Sequence, residues 1–403
     1  MKAVLSLLVI MASLLSVGVK AANPCAMVSE LSPYQALTIS DTAYILPQDT
    51  LSPVYRAHHK HPVRRFFKFI NRQMESFSDV DTNYIEPQHY NFEFMLQQTI
   101  TYEQYTLRAL DSGQMVEFSP RNSYKFGPYF GWRWIFLGYT FDVKNLSLGL
   151  DDHKPKTEFD VSLYSSLFGI DFYYRRTGND YRINSINLGK NVDVTSLEDK
   201  PFTDINVGIT GLNLYYIFNH RKFSHPAAFS QSTCQKVSAG SMIAGISYTK
   251  QSLDYDYEDL EDLIHSNPAT AAVQLDSSLM FRQVKYTDVS ISLGYAYNWV
   301  FRPKWLFAVS LSPALAYNQS HGDVKPTVGL DGIKGFSFKN VNIDFISRFG
   351  LVWNNTKWYA GANAILHGYN YKKSRFAARN IFGSFNIYVG FNFAKRKEYR
   401  HRK

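Results

Sequence analysis

Eleven histidines are spread through the 403 residues, and none has a serine two positions later. A His-x-Ser pair on one strand would place a general base and a nucleophile on the same face, within hydrogen-bond reach, an arrangement suited to lipid hydrolysis in a barrel wall. The adjacent pairs His265–Ser266 and Ser320–His321 would point to opposite faces instead. The sequence therefore predicts no catalytic residue and a protein that is not an enzyme. His58-His59-Lys60-His61 offers three imidazoles to a metal, but Lys60 would repel a cation, so a solvated polar patch fits better. Six acids fall between Asp254 and Asp262. Calcium favours such oxygens, yet the run lacks the glycine of the usual calcium loop, and Asp259 to Ile264 reads as a short acidic helix. No metal and no cofactor is assigned.

The polar residues that remain are placed by strands. Ile381 to Phe393 reads IFGSFNIYVGFNF, with Ile381, Phe385, Ile387, Val389, Phe391 and Phe393 on one face and mostly polar residues on the other. Tyr90 to Glu103 and Val289 to Trp299 alternate in the same way. Further strands are expected at 114–119, 128–143, 158–175, 181–188, 204–218, 240–253, 305–317, 341–354 and 358–368. That makes twelve, with ten or fourteen the alternatives. Short turns at Phe301–Lys304 and Asn354–Lys357 alternate with longer loops, which include 369–380, as the two ends of an outer-membrane barrel require. The connection 219–239 is the exception, because it is long on the short-turn side.

The predicted fold class is all-β: an antiparallel transmembrane β-barrel over residues 89–394. With the apolar face outward, Glu93, Gln97, Glu103, Asn342, Asp344 and Arg348 become candidate lumen-lining residues. Charges of both signs there could line a polar channel or pair to close a narrow barrel. Trp299 and Trp305 flank one short turn, and Trp353 and Trp358 the other. They are the candidate membrane-interface girdle. Aromatic residues make up 16% of the chain, as girdles demand.

Residues 1–21 read as a secretory signal peptide: Lys2, an uncharged apolar stretch from Ala3 to Val19, then small residues for cleavage. Residues 22–88 form an expected periplasmic arm. Within it, 62–77 has helical periodicity, with Phe66, Phe67, Ile70 and Met74 opposite Arg64, Arg65, Lys68 and Arg72. A basic tail, 395–403, follows the last strand. The net charge of +9 arises partly from these two clusters and suits lipid head groups. No nucleic-acid module accompanies it. Cys25 and Cys234 are the two cysteines, and spacing does not decide whether they pair.

Four stretches are distinctive: DTNYIEPQHYNFEFMLQQT (81–99), YKFGPYFGWRWIFLGYTFDV (124–143), EFDVSLYSSLFGIDFYYRRTGND (158–180) and FNHRKFSHPAAFSQSTCQKVSAGS (218–241). They resemble the domain-of-unknown-function 4421 family of Bacteroidota. The resemblance implies an exported, barrel-like protein of unassigned activity and transfers no catalytic residue. The expected setting is the outer membrane, with both termini periplasmic. The expected partners are outer-membrane lipid and the barrel-assembly machinery. The leading reading is a narrow channel or transporter for small polar solutes, or a structural envelope component. The alternatives are a barrel-embedded lipid-modifying enzyme and a soluble exported glycan-binding β protein.

Overall fold

Alternation between apolar and polar residues runs through most of the described residues, so most of these are strand. The computed structural model describes residues 80–132, 135–138, 141–142, 157–176, 180–322, 340–373 and 375–400. The signal peptide, Cys25 and the amphipathic segment 62–77 lie outside them.

The strands are β1 (Ile85–Pro87), β2 (Tyr90–Ala109), β3 (Met115–Pro120), β4 (Ser123–Trp132), β5 (Ile135–Gly138) and β6 (Phe141–Asp142). Then come β7 (Thr157–Tyr164), β8 (Phe168–Arg176), β9 (Tyr181–Asn187), β10 (Ile205–Ile217), β11 (Thr233–Gln235) and β12 (Ala239–Tyr255). The last are β13 (Gln283–Arg302), β14 (Trp305–Gly322), β15 (Val341–Asn354), β16 (Trp358–Lys373) and β17 (Phe376–Lys395). Helix α1 covers His225–Phe229 and α2 covers Tyr257–His265.

Twelve strands form one antiparallel path, β5-β4-β2-β17-β16-β15-β14-β13-β12-β10-β8-β7. Strand β17 seals against β2 over almost its whole length, with Phe393 opposite Phe92 and Phe376 opposite Ala109. Among the described residues no ladder joins β7 to β5 or β6. Inside the barrel, Lys125 on β4 and Glu158 on β7 form an ion pair.

The twelve wall strands are not the twelve expected from the sequence. The chain reverses between Trp132 and Ile135, so 128–143 is two strands. Residues 158–175 are likewise a hairpin. Ser165 makes that turn, accepting from Phe168 N at 2.9 Å through its hydroxyl while its own N–H donates to Phe168 O at 2.9 Å. The expected strand at 114–119 is the first part of the strand that continues as β4, since β3 and β4 both lie along β2. The expected strand at 181–188 is β9, which pairs with β3 and stands off the main path. The loop expected at 369–380 is a tight turn between Lys373 and Phe376.

The wall strands other than β5 turn apolar side chains outward. Ile291 is 69% exposed, Ile343 65% and Leu315 64%, and Leu311, Ile246, Ile387, Val389 and Leu351 are also exposed. A continuous apolar belt of this kind is costly in water, at roughly 25 cal/mol per Å², and is what a bilayer covers. No described helix is long and apolar enough to cross a membrane. The fold is a transmembrane antiparallel β-barrel.

The interior as candidate functional site

Residues of opposite parity to the belt face inward, and they fill the interior. All six candidate lumen residues point there. Glu93, Glu103, Asn342, Asp344 and Arg348 are buried, and Gln97 is half-buried. The four tryptophans stand outside at one end, on β13 to β16. Trp299 and Trp358 are exposed, and Trp305 lies directly across from Trp353.

At the tryptophan end, the long connection 218–238 folds back into the barrel mouth. Ser224 starts α1 by accepting from Ala227 N at 3.1 Å, and Pro226 fits the first helical turn. Ala227 and Ala228 then pack on Leu306, Ala308 and Val352 of the wall. Gln231 donates to Tyr388 Oη at 2.7 Å, and Asn298 donates to Ser224 O at 2.7 Å. Strand β11 pairs with β1, so the end of the N-terminal arm is tied to this plug. The basic tail folds beside the arm, with Tyr399 stacked on His89 at 4.0 Å. This accounts for the one connection that broke the short-turn pattern.

His225 is fully buried in the plug, among Tyr164, Tyr215 and Phe229. Burial, helped by Arg348, holds its pKa well below the usual imidazole range. Cys234 lies on β11 near Asn354 O, and burial pushes its thiol up to about 12.

Above the plug, side chains from opposite walls meet, and neighbouring strands add further pairs. Arg348 on β15 binds Asp171 on β8 at 2.6 Å and lies 5.1 Å from the Tyr215 ring centroid. Asp171 also accepts from Ser162 at 2.7 Å. Tyr173 on β8 bonds Tyr369 on β16. Tyr105 on β2 meets Tyr286 on β13 at 3.4 Å. Arg175 contacts Asp160 at 3.2 Å and sits 4.9 Å over the Phe382 ring. Tyr181 donates to Glu103 at 3.0 Å. Gln97 and Asn363 both bond Asn386, at 3.0 and 2.8 Å.

Inward tyrosines lie along the wall over glycines of the neighbouring strand. Tyr173 covers Gly211, Tyr215 covers Gly169, and Tyr359 covers Gly390, each directly across the ladder. This aromatic cover of strand glycines lets large rings fit a narrow lumen.

At the far end the interior becomes apolar. Tyr105, Phe118, Ile183, Phe202, Tyr255, Leu260, Ile264, Leu279 and Phe376 belong to one buried cluster built from β2, β3, β9, β12, α2 and the loops. The acidic run is α2, capped by Asp256, whose side chain accepts from Glu258 N at 3.1 Å. No group of three or more histidine, cysteine, aspartate or glutamate side chains placed to hold a metal occurs among the described residues.

Sequence reasoning did not single out Asp171, Arg175, His225, Asp288 or Asn318. Parity was the available signal for Asp288, which has the register of the inward Ser290 and Ser292 and stands one residue before the expected strand.

The family model described as Domain of unknown function (DUF4421) matches residues 79–393. No curated protein matches the chain. Among solved structures, the translocator domain of autotransporter NalP from Neisseria meningitidis is similar at 9% identity, covering 82% of this chain and 97% of that one, with a TM-score of 0.29. The TodX deltaS2S3 mutant monoaromatic hydrocarbon channel aligns at 9% identity over 75% and 91% of the two chains, with a TM-score of 0.23. OprG from Pseudomonas aeruginosa aligns at 7% over 76% and 98%, with a TM-score of 0.21.

Proposed function

The chain belongs to the DUF4421 family, and we propose that it is an outer-membrane barrel closed to passive solute flow, serving as a structural component of the envelope. The apolar belt and the tryptophans beside the short turns support the membrane setting. The even strand count puts both ends of the barrel on one side, taken as periplasmic. The plug and the tail then lie on that side and the aromatic cap faces outward. Assembly machinery that inserts barrels and outer-membrane lipid are the partners this setting implies.

The observation that carries the closed reading is the pairing of opposite walls through the lumen, above all Arg348 with Asp171. A water-filled pore needs side chains that stay apart; here they meet, and each end is also capped. Protein extracted from the outer-membrane fraction and placed in planar bilayers should migrate in a heat-modifiable way and give no current steps. Regular single-channel steps would overturn the closed reading. Absence from the outer-membrane fraction would overturn the location.

A further inference from the structure

Four buried side-chain oxygens near the outer end of the lumen receive no hydrogen bond from the protein: Asp288 Oδ1 and Oδ2, Asp344 Oδ2 and Asn318 Oδ1. Asp288 is 2% exposed, and Asn318 and Asp344 are 3%. The sheet register sets two of these residues face to face, and hydrogen bonds through Asn370 link the third. Asp288 on β13 sits directly across from Asn318 on β14. Asn318 donates its amide to Asn370 O at 3.0 Å, and Asn370 N donates to Asp344 Oδ1 at 2.9 Å. Asn318 and Asp344 therefore hang from the two ends of one peptide residue. One N–H of the Asn318 amide is thus held by Asn370, and its oxygen is left without a donor. Asp344 lies across from Ala314, and the inward positions between it and the level of Asp288 and Asn318 are Ser290, Ala316 and Asn342.

Electrostatics sharpens the point. Asp344 is the charge that acts on Asp288, and neither belongs to an ion pair among the described residues. Arg348, the next inward charge on β15, is committed to Asp171. Two carboxylates buried together need something to neutralise them.

We propose that Asp288, Asn318 and Asp344 bind a divalent cation, with calcium as the occupant. The donors are all oxygen, which selects a hard ion, and two carboxylates match its charge. Three residues on adjacent strands give an irregular set that calcium accepts and magnesium, with its strict octahedron, does not. The ion braces β13, β14 and β15 beneath the outer aromatic cluster.

Terbium tests the site because tyrosine sensitises its emission, and Tyr286 and Tyr369 lie within charge range of Asp344. Protein refolded into detergent without calcium should show saturable terbium luminescence that calcium displaces. Emission should fall at least about tenfold in Asp288→Asn/Asp344→Asn, while Asp259→Asn/Asp262→Asn on α2 should keep it. Calcium should also raise the urea midpoint of the wild type and leave that of the double lumen variant unmoved. Should that variant fail to fold, Asn318→Ala, which keeps both carboxylates, should bind about tenfold more weakly. Emission that persists in the lumen variants overturns the site. So does a wild-type midpoint indifferent to calcium, since the carboxyls would then be neutralised by protons.

Discussion

Arg348 carries the sharpest prediction at the scale of single residues. Its side chain is 3% exposed, and Asp171 at 2.6 Å is 9% exposed. Removing one partner of such a pair strands a buried charge, so Arg348→Met should lower stability by about 3–5 kcal/mol in urea unfolding. Replacing both, as Arg348→Met with Asp171→Leu, should recover most of that loss, because no charge is then left uncompensated. A double variant as unstable as the single one would show that the pair is not the reason. His225 gives a pH test. Its folded pKa lies below the unfolded value of about 6.5, held there by burial and by Arg348, with Tyr164 and Tyr215 the other titratable groups against it. The neutral form is favoured in the docked plug, so its contribution is complete above pH 6.5 and is lost as pH falls toward the folded value. Hydrogen exchange of 219–239, corrected for intrinsic rate, should quicken between pH 7.5 and 5. His225→Phe should flatten that dependence; equal pH dependence in the variant would rule the histidine out.

Elements were legible wherever alternation was clean. In β17 and β13 the belt residues and the inward residues separate without error, because a one-residue slip would reverse every side chain. Turns were harder to read. Ser165, Ser166 and Leu167 carry neither glycine nor proline, and the hydroxyl of Ser165 makes the reversal, so β7 and β8 read as one strand. The plug was visible only as an anomalous length, since its helix is five residues long and owes its place to packing on Leu306 and Val352. The candidate lumen residues follow from parity alone, whereas their partners, such as Asp171 for Arg348, lie 177 positions apart in the chain. Pattern cannot supply a contact at that separation. The glycine positions give this scale its prediction. A Cβ at Gly211 would enter the Tyr173 ring, so Gly211→Ala should destabilise by about 1–3 kcal/mol through overpacking. Adding Tyr173→Leu should relieve the clash. Urea midpoints of the two variants decide it, and an unaffected Gly211→Ala would mean that the ring does not lie there.

At the scale of the whole molecule, two structures of different origin fill the lumen among the described residues. At the tryptophan end the closure is a segment of chain, 219–239, inserted into the mouth and tied to the arm by β1 and β11. In the middle and at the other end it is the wall's own side chains, joined across the lumen and then buried in the aromatic cluster. The two respond differently to deletion. Shortening 222–236 to a tight turn would expose Leu306, Ala308 and Val352 to water and remove the hydrogen bond to Tyr388, but it leaves Arg348–Asp171, Tyr173–Tyr369 and the outer cluster in place. The shortened protein should therefore still be heat-modifiable, because the β-ladders from β2 round to β10 are untouched. It should melt earlier, by the loss of apolar contacts and one buried anchor. In planar bilayers it should remain silent. Adding Arg348→Met and Asp171→Leu to the same deletion should also leave it silent, since the outer cluster persists. Steps that appear on plug deletion alone would mean that the cross-lumen contacts do not hold the walls together in the membrane, and the plug would then be the gate of a pore.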